Sequence, residues 1–304
     1  MKRVDPRHAE ELDKLGYTIV PGLLSEEELA ECQQEASDYF PSEEEIYLHP
    51  DRYEGLGRVR SFPFAGRALN MVTTNPTLLD FMEEACGTTD LRLGESALQV
   101  KYGTRVETGA DQTLHVDSWG KKSLAYPRDD KPFRQMFLII YYSQVTWESA
   151  PTYVVPRTAF TEESLLTADG GTVRTPEDHP VTYREEFPIL AGPGSALVFT
   201  GTTLHRGSAM RAQVGQRLAH FVTYHAAEAT WMQSVAWPSG DRPQPDSVDL
   251  RRFIENSLPR QRQVIGFPSI DDPYWNEETL RGMGARYPGM DLSPYRRAVE
   301  ERPT

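Results

Sequence analysis

A chain of 304 residues with 32 basic and 45 acidic side chains carries a formal charge of −13, and that field repels nucleic acid and anionic membrane surfaces alike. A hydrophobic share of 38% suffices for a folded core, while no apolar run reaches the roughly 20 residues of a membrane span, which argues against disorder and against a membrane protein. Cys32 and Cys86 make no disulfide framework, and Met1-Lys2-Arg3 leads into a charged helical pattern rather than a signal peptide, so the expectation is a cytoplasmic protein with two buried thiols.

Ala9 to Leu15 reads as a helix, followed by a short strand over Gly16-Tyr17-Thr18-Ile19-Val20 that Pro21-Gly22 closes. Ser25 and Glu28 have the spacing of a capping box, each able to satisfy an orphan amide of the other, and Leu29, Cys32, Ala36 and Phe40 continue that helix with one apolar face. Residues 41–60 are polar and rich in Pro, Glu and Tyr, and no element is assigned to them. Pro76 to Cys86 carries the next helical pattern, stopped by Gly87.

From there the period changes to two. Ala97 to Tyr102, Gln135 to Ser143, Pro151 to Val155, Ser195 to Thr200 and Arg217 to His225 are strand candidates bounded by turn residues. The charged stretches Gly120 to Arg134 and Thr161 to Phe187 interrupt them and have the length of functional lids. After Pro238 come helices at Val248 to Ser257 and near Asn276 to Ala285. Several non-local strands without long intervening helices demand a closed or sandwiched β core. The expectation is one domain over 1–304: a helical support over 1–95 lying outside the sheet, the β core over 96–230, and a cap over 231–304.

Leu114-His115-Val116-Asp117-Ser118-Trp119 places an imidazole and a carboxylate two residues apart, hence on one face of an extended chain. Ninety residues later His205 offers a second imidazole, and Arg217 follows after twelve more. Two His and one carboxylate leave three positions of a metal open, the arrangement that an iron centre needs to take a chelating cosubstrate and dioxygen together. Arg217 heads a strand face that reads Ala219, Phe221, Thr223, His225, and a guanidinium on such a face requires an anion, either a bidentate ligand carboxylate or a protein acid. Gln99 and Lys101 share one face of the preceding strand, directed either into the same cavity or to solvent. His8, His49 and His179 sit in polar segments and are expected to be exposed, whereas His220 and His225 face opposite sides of one strand.

These residues resemble the phytanoyl-CoA dioxygenase family of iron(II) and 2-oxoglutarate oxygenases. The carriers are Leu15-Gly16-Tyr17-Thr18-Ile19-Val20-Pro21-Gly22-Leu23-Leu24-Ser25, the His115/Asp117 pair, Gly194 to Ser208, and Arg217. The resemblance implies a cupin-like jelly roll, or double-stranded β-helix, with helices packed at both ends of the chain. It makes His115, Asp117 and His205 iron ligands, Arg217 the clamp for the distal carboxylate of 2-oxoglutarate, Gln99 a polar cosubstrate contact with Lys101 beside it, and Trp119 an aromatic wall near the metal. The retained Asp117 speaks against the halogenases of similar fold, in which a small residue replaces the carboxylate. Glu148-Ser149-Ala150-Pro151 and Pro156-Arg157-Thr158-Ala159 depart from the family's usual loop sequences and leave substrate identity open.

The implied reaction consumes 2-oxoglutarate and dioxygen, releases succinate and carbon dioxide, and hydroxylates or otherwise oxidises an unactivated carbon of a small metabolite. Two alternatives stand beside it: a zinc-dependent hydrolase using the same three ligands, and a non-catalytic binding protein of this fold. Lys121, Lys122, Arg128, Lys131 and Arg134 gather near Trp119 against Asp129 and Asp130, so an anionic substrate group at that rim, with Arg134 as a contact, is one expectation and a solvated charged loop the other. Trp231, Trp237, Tyr274 and Trp275 either cap an apolar pocket or pack the tail on the barrel.

Overall fold

The computed structural model describes residues 4–118, 122–159, 172–237 and 245–302. The chain begins with α1 (Pro6–Leu15), β1 (Tyr17–Val20), α2 (Glu26–Ser37) and α3 (Glu43–Leu48). Next come β2 (Val59–Ser61), α4 (Arg67–Thr73), α5 (Pro76–Cys86), β3 (Leu91–Tyr102), β4 (Met136–Tyr141) and β5 (Thr152–Val154). After these follow α6 (Pro180–Arg184), β6 (Phe187–Pro188), β7 (Ala196–Thr200), β8 (His205–Gly207) and β9 (Gln216–Ala226). The tail adds α7 (Pro245–Asn256), α8 (Pro259–Val264), α9 (Glu277–Arg286) and α10 (Ser293–Glu300).

A six-stranded antiparallel sheet of order β1-β7-β4-β9-β3-β2 faces a three-stranded sheet of order β6-β5-β8. This is the jelly roll. Alternation along the large sheet separates two buried sets. Leu98, Val100, Leu138, Ile140, Val198, Val222 and Tyr224 turn outward into one cluster with Leu12, Cys32, Leu79 and Met82 of the N-terminal helices and with Phe253, Trp275 and Tyr295 of the tail. Phe137, Ile139, Tyr141, Leu197, Phe199 and Ala219 turn inward against Val154 of the smaller sheet and Val145 and Ile189 beside it. The period of two thus sorts each strand between a helix-supported back and the interior that faces the candidate site.

Local sequence explains the helix ends. Ser25 accepts from the Glu28 amide at 3.2 Å while Glu28 accepts from the Ser25 amide at 2.9 Å, which closes the capping box. Gly87 ends α5 in the left-handed conformation, as a residue without Cβ readily does. The same Ser-x-x-Glu signal recurs in the stretch given no element: Ser42 caps α3 by accepting from the Glu45 amide, and three glutamates occupy the first turn, where the helix dipole favours them. Also unassigned from sequence were α4, α8, α10, β2, β6 and β8, all short.

One expectation about buried groups comes out differently. His8 is not exposed but buried, its Nδ1 at 2.7 Å from the Thr18 hydroxyl, because α1 lays it against β1. His220 lies on the outward face of β9, between the Tyr142 hydroxyl at 2.9 Å from Nδ1 and the Ser96 hydroxyl at 2.8 Å from Nε2. Cys32 and Cys86 are both buried and free, and burial pushes each thiol up to about 12. Among the described residues no helix is long and apolar enough to cross a membrane.

Candidate metal centre

His115 and His205 are held opposite each other by a two-way backbone bridge, each amide donating to the other's carbonyl at 3.0 Å. The pair His115/Asp117 therefore sits on an isolated bridge followed by a bend rather than on a regular strand, while His205 opens β8. The ring centroids lie 4.6 Å apart, His115 Nε2 is 3.6 Å from one Asp117 oxygen, and His205 Nε2 is 3.4 Å from the other. One donor atom from each of the three falls within 4.8 Å of the others. The spacing suits a single ion held on one side.

Both imidazoles have their tautomer fixed by main chain. His115 Nδ1 donates to the Thr113 carbonyl at 2.8 Å and His205 Nδ1 donates to the Thr203 carbonyl at 3.0 Å, leaving each Nε2 lone pair turned to the shared centre. Burial disfavours the Asp117 carboxylate, but the histidines beside it outweigh that cost and hold its pKa at about 2. For His205 burial opposes the imidazolium, and Asp117 still lifts its pKa above the ordinary value. A cation at the centre replaces the proton in that attraction, so the donor set is matched to a metal ion.

The supports of His205 reach back to the N-terminal motif. Gly16 caps α1 at φ +83°, and its carbonyl accepts from the Thr203 hydroxyl at 2.6 Å and the Thr200 amide at 2.9 Å. A Cβ on Gly16 would lie 2.8 Å from the Thr203 hydroxyl oxygen. On the Asp117 side, Gly201 packs so closely on Ser118 that a Cβ there would sit 1.5 Å from its Oγ. Phe199 meets His205 at a tilt with centroids 4.7 Å apart and stacks against Phe137 at 5.3 Å.

Arg217 pairs with Lys101 across β9 and β3, and Gln99 with Ala219, so all three polar side chains share the interior face. Arg217 is 4% exposed and donates from Nη1 to the Ala150 carbonyl at 2.8 Å, but its Nε has no partner. No carboxylate pairs with it among the described residues; the rings of Tyr141 and Phe221 lie 5.8 Å from its centre. Burial lowers its pKa. Lys101 donates to the Ser208 carbonyl at 2.7 Å, and burial first, then Arg217, brings its pKa down to about 8. Arg217 has no acid paired with it among the described residues, while Lys101 feels Asp111 and Glu107 only through space, so the end of a dicarboxylate would find an unpaired guanidinium here.

Trp119 lies outside the described residues, as does Lys121. Arg134 corrects the expectation of a substrate contact. Its guanidinium is buried and consumed by Asp13 at 2.7 Å, the Ala85 carbonyl at 3.3 Å and the Asp129 carbonyl at 2.8 Å, so it ties α1 and α5 to the loop before β4. Arg128 is likewise occupied by Asp130, and Lys122 by Glu95 at 2.5 Å. Lys122, Arg128 and Arg134 of the basic rim expected to draw an anion thus each have an acid partner. In the tail, Trp275 is buried against Tyr295 with centroids 4.2 Å apart, and with Trp237 and Tyr274 it lines a cavity of about 730 Å³ built from α7 to α9. Sequence reasoning missed Glu95 and Tyr141; the inward period of β3 and β4 was the available signal for both.

A family model described as Phytanoyl-CoA dioxygenase (PhyH) matches residues 12–218, which include all three candidate ligands and Arg217. No curated protein matches the chain. Among solved structures, apo EctD from S. alaskensis is similar at TM-score 0.58 and 17% identity over 78% of this chain and 85% of its own. SnoK, a non-heme alpha-ketoglutarate-dependent carbocyclase from nogalamycin biosynthesis, gives 0.56 and 17% over 80% and 92%. HygX from Streptomyces hygroscopicus, with nickel and 2-oxoglutarate bound, gives 0.53 and 16% over 79% and 95%.

Proposed function

From the premise that the chain belongs to the phytanoyl-CoA dioxygenase family, we propose that this iron(II)- and 2-oxoglutarate-dependent oxygenase hydroxylates an unactivated carbon of a small metabolite. The observation that carries the reading is the coincidence, in one interior, of a His-Asp-His cluster with a fully buried guanidinium that lacks an acid partner. Iron(II) bound by His115, Asp117 and His205 would supply, with 2-oxoglutarate and dioxygen, the oxidising power that converts a C–H bond to C–OH while succinate and carbon dioxide leave.

The chain's own residues do the rest. The carbonyls of Thr113 and Thr203 hold the Nδ1 protons and keep both Nε2 atoms basic, and Asp117 stays ionised throughout the neutral range. Arg217 fixes the far carboxylate of the cosubstrate, with the Lys101 ammonium beside it as a second charge. Phe137, Phe199 and Ile139 line the interior with apolar surface that excludes water from the reacting carbon. A zinc hydrolase would have no use for the Arg217 site, and a binding protein would have no need of an intact ligand triad.

The test is a titration of the anaerobic iron(II) protein with 2-oxoglutarate, followed by admission of oxygen and assay of succinate. Binding and slow succinate release are expected, both lost in Asp117→Ala. Metal-dependent hydrolase activity with zinc and no 2-oxoglutarate binding would overturn the proposal.

A further inference from the structure

We infer that Glu95 and Lys122 form the substrate-recognition wall of this interior, and that the substrate is a neutral polyhydroxylated small molecule, a sugar or cyclitol. The inference rests on the oxygenase reading above. Glu95 of β3 lies opposite Thr223 of β9, Thr223 opposite Phe137 of β4, and Phe137 opposite Phe199 of β7. Directly opposed residues of antiparallel strands share a face, so this row runs along the interior and ends on Phe199, whose ring meets His205. A bulge at Gly94 sets the row in place: a Cβ there would lie 2.4 Å from the Thr223 hydroxyl oxygen and 2.8 Å from the Gln233 carbonyl.

The cationic cosubstrate row, Lys101 opposite Arg217, lies six residues further along the same strands, a span of roughly 20 Å. β8 gives the intermediate position of the metal ligands. His205 at its start meets Phe199, and Ser208 just past its end accepts from Lys101. The candidate centre therefore lies beside the far end of the row that Glu95 begins, with the cationic row further along the strands.

Lys122 crosses to Glu95 at 2.5 Å. The backbone of Lys122 is fixed by the Gln233 amide, which donates to its carbonyl at 2.9 Å. Although Glu95 stands on the inward face, its side chain is 31% exposed and that of Lys122 16%, so the pair borders open space. An apolar substrate pressed on this pair would strip its hydration and return nothing, and a charged group would leave an unbalanced charge in the cavity. A hydroxyl offers a donor to the carboxylate and an acceptor to the ammonium at once. The rings of Phe137 and Phe221 supply apolar surface for the C–H faces of a polyol ring.

The experiment uses full-length protein loaded with 2-oxoglutarate and redox-inert zinc(II), and reads binding by ligand-observed NMR. The probes are glucose, galactose, myo-inositol and scyllo-inositol, set against octanoate and benzoate. Polyol binding at millimolar concentration or better is expected, weakened at least tenfold in both Glu95→Gln and Lys122→Met, with melting temperature and 2-oxoglutarate affinity unchanged. The inference fails if no polyol binds, if octanoate or benzoate binds in preference, or if the variants bind polyols as well as the parent. It also fails if the variants lose fold stability and cosubstrate affinity together, which is the behaviour of a pair that only latches the loop to β3. Absence of 2-oxoglutarate binding in the parent protein would instead sink the oxygenase reading.

Discussion

Replacing Arg217 by Met should separate function from stability. In the cosubstrate-free protein the guanidinium is buried, donates to the Ala150 carbonyl, leaves Nε unsatisfied and has no acid paired with it among the described residues. An unpaired buried cation costs folding free energy, so its loss should leave stability unchanged or raise it. Truncating one member of a buried charge pair costs about 2–5 kcal/mol of binding, which is roughly a 30-fold to several-thousand-fold rise in the 2-oxoglutarate dissociation constant. Urea denaturation of apoprotein and anaerobic cosubstrate titration of the iron(II) form measure the two quantities on one preparation. A variant that is clearly less stable yet binds 2-oxoglutarate normally would show that Arg217 is a packing residue, and the argument from the unpaired cation would collapse.

Gly16→Ala should lower stability by about 1–3 kcal/mol, because it forces a Cβ into φ +83° and to 2.8 Å from Thr203, and should weaken iron(II) binding by about tenfold or more through the Thr203 carbonyl that orients His205. Thermal melting with metal titration checks it, and an unchanged melting temperature would count against it. His220 carries a pH prediction: burial lowers its pKa from 6.5 to about 3, so its contribution to stability is intact above pH 6.5 and falls away as pH drops toward 3. By about pH 4.5 the loss reaches about 2–3 kcal/mol, and His220→Gln should remove one proton's worth of slope from urea stability measured across that window; an unaltered slope would refute it.

How far the sequence was readable depended on the range of the interactions involved. α5 and the start of α2 were legible because their caps are local, although α2 stops at Ser37 short of the expected Phe40, and β4, β7 and β9 were legible because each strand buries one face in each of two layers. β8 was invisible: three residues with no alternation, made a strand only by pairing to β5. The three candidate ligands could be chosen from residue type and order, whereas Arg134 could not be judged, since Asp13 and the Ala85 carbonyl that occupy it are far away in sequence. His8 failed for the same reason. A polar neighbourhood in sequence does not reveal that Thr18 folds over it.

The division between what was legible and what was not also bears on how such a site diverges. The orientation of His115 and His205 depends on main-chain carbonyls two residues upstream and on a two-way amide bridge, groups that any side-chain sequence provides. Once the backbone register is set, Gly16 and Gly201 beside the ligands, with Gly94, Gly103 and Gly207 on and beside the flanking strands, are pinned by contacts too close for a Cβ. That leaves side chains such as Glu95 and Lys122 free to change without moving the main-chain groups that orient the ligands. Such freedom is consistent with neighbours that keep the fold at 16–17% identity. Selection for a new substrate can therefore act on side chains of the Glu95 side of the interior while the Arg217 side stays fixed, because the two share the β3/β9 ladder, whose backbone pairing does not depend on which side chains project from it.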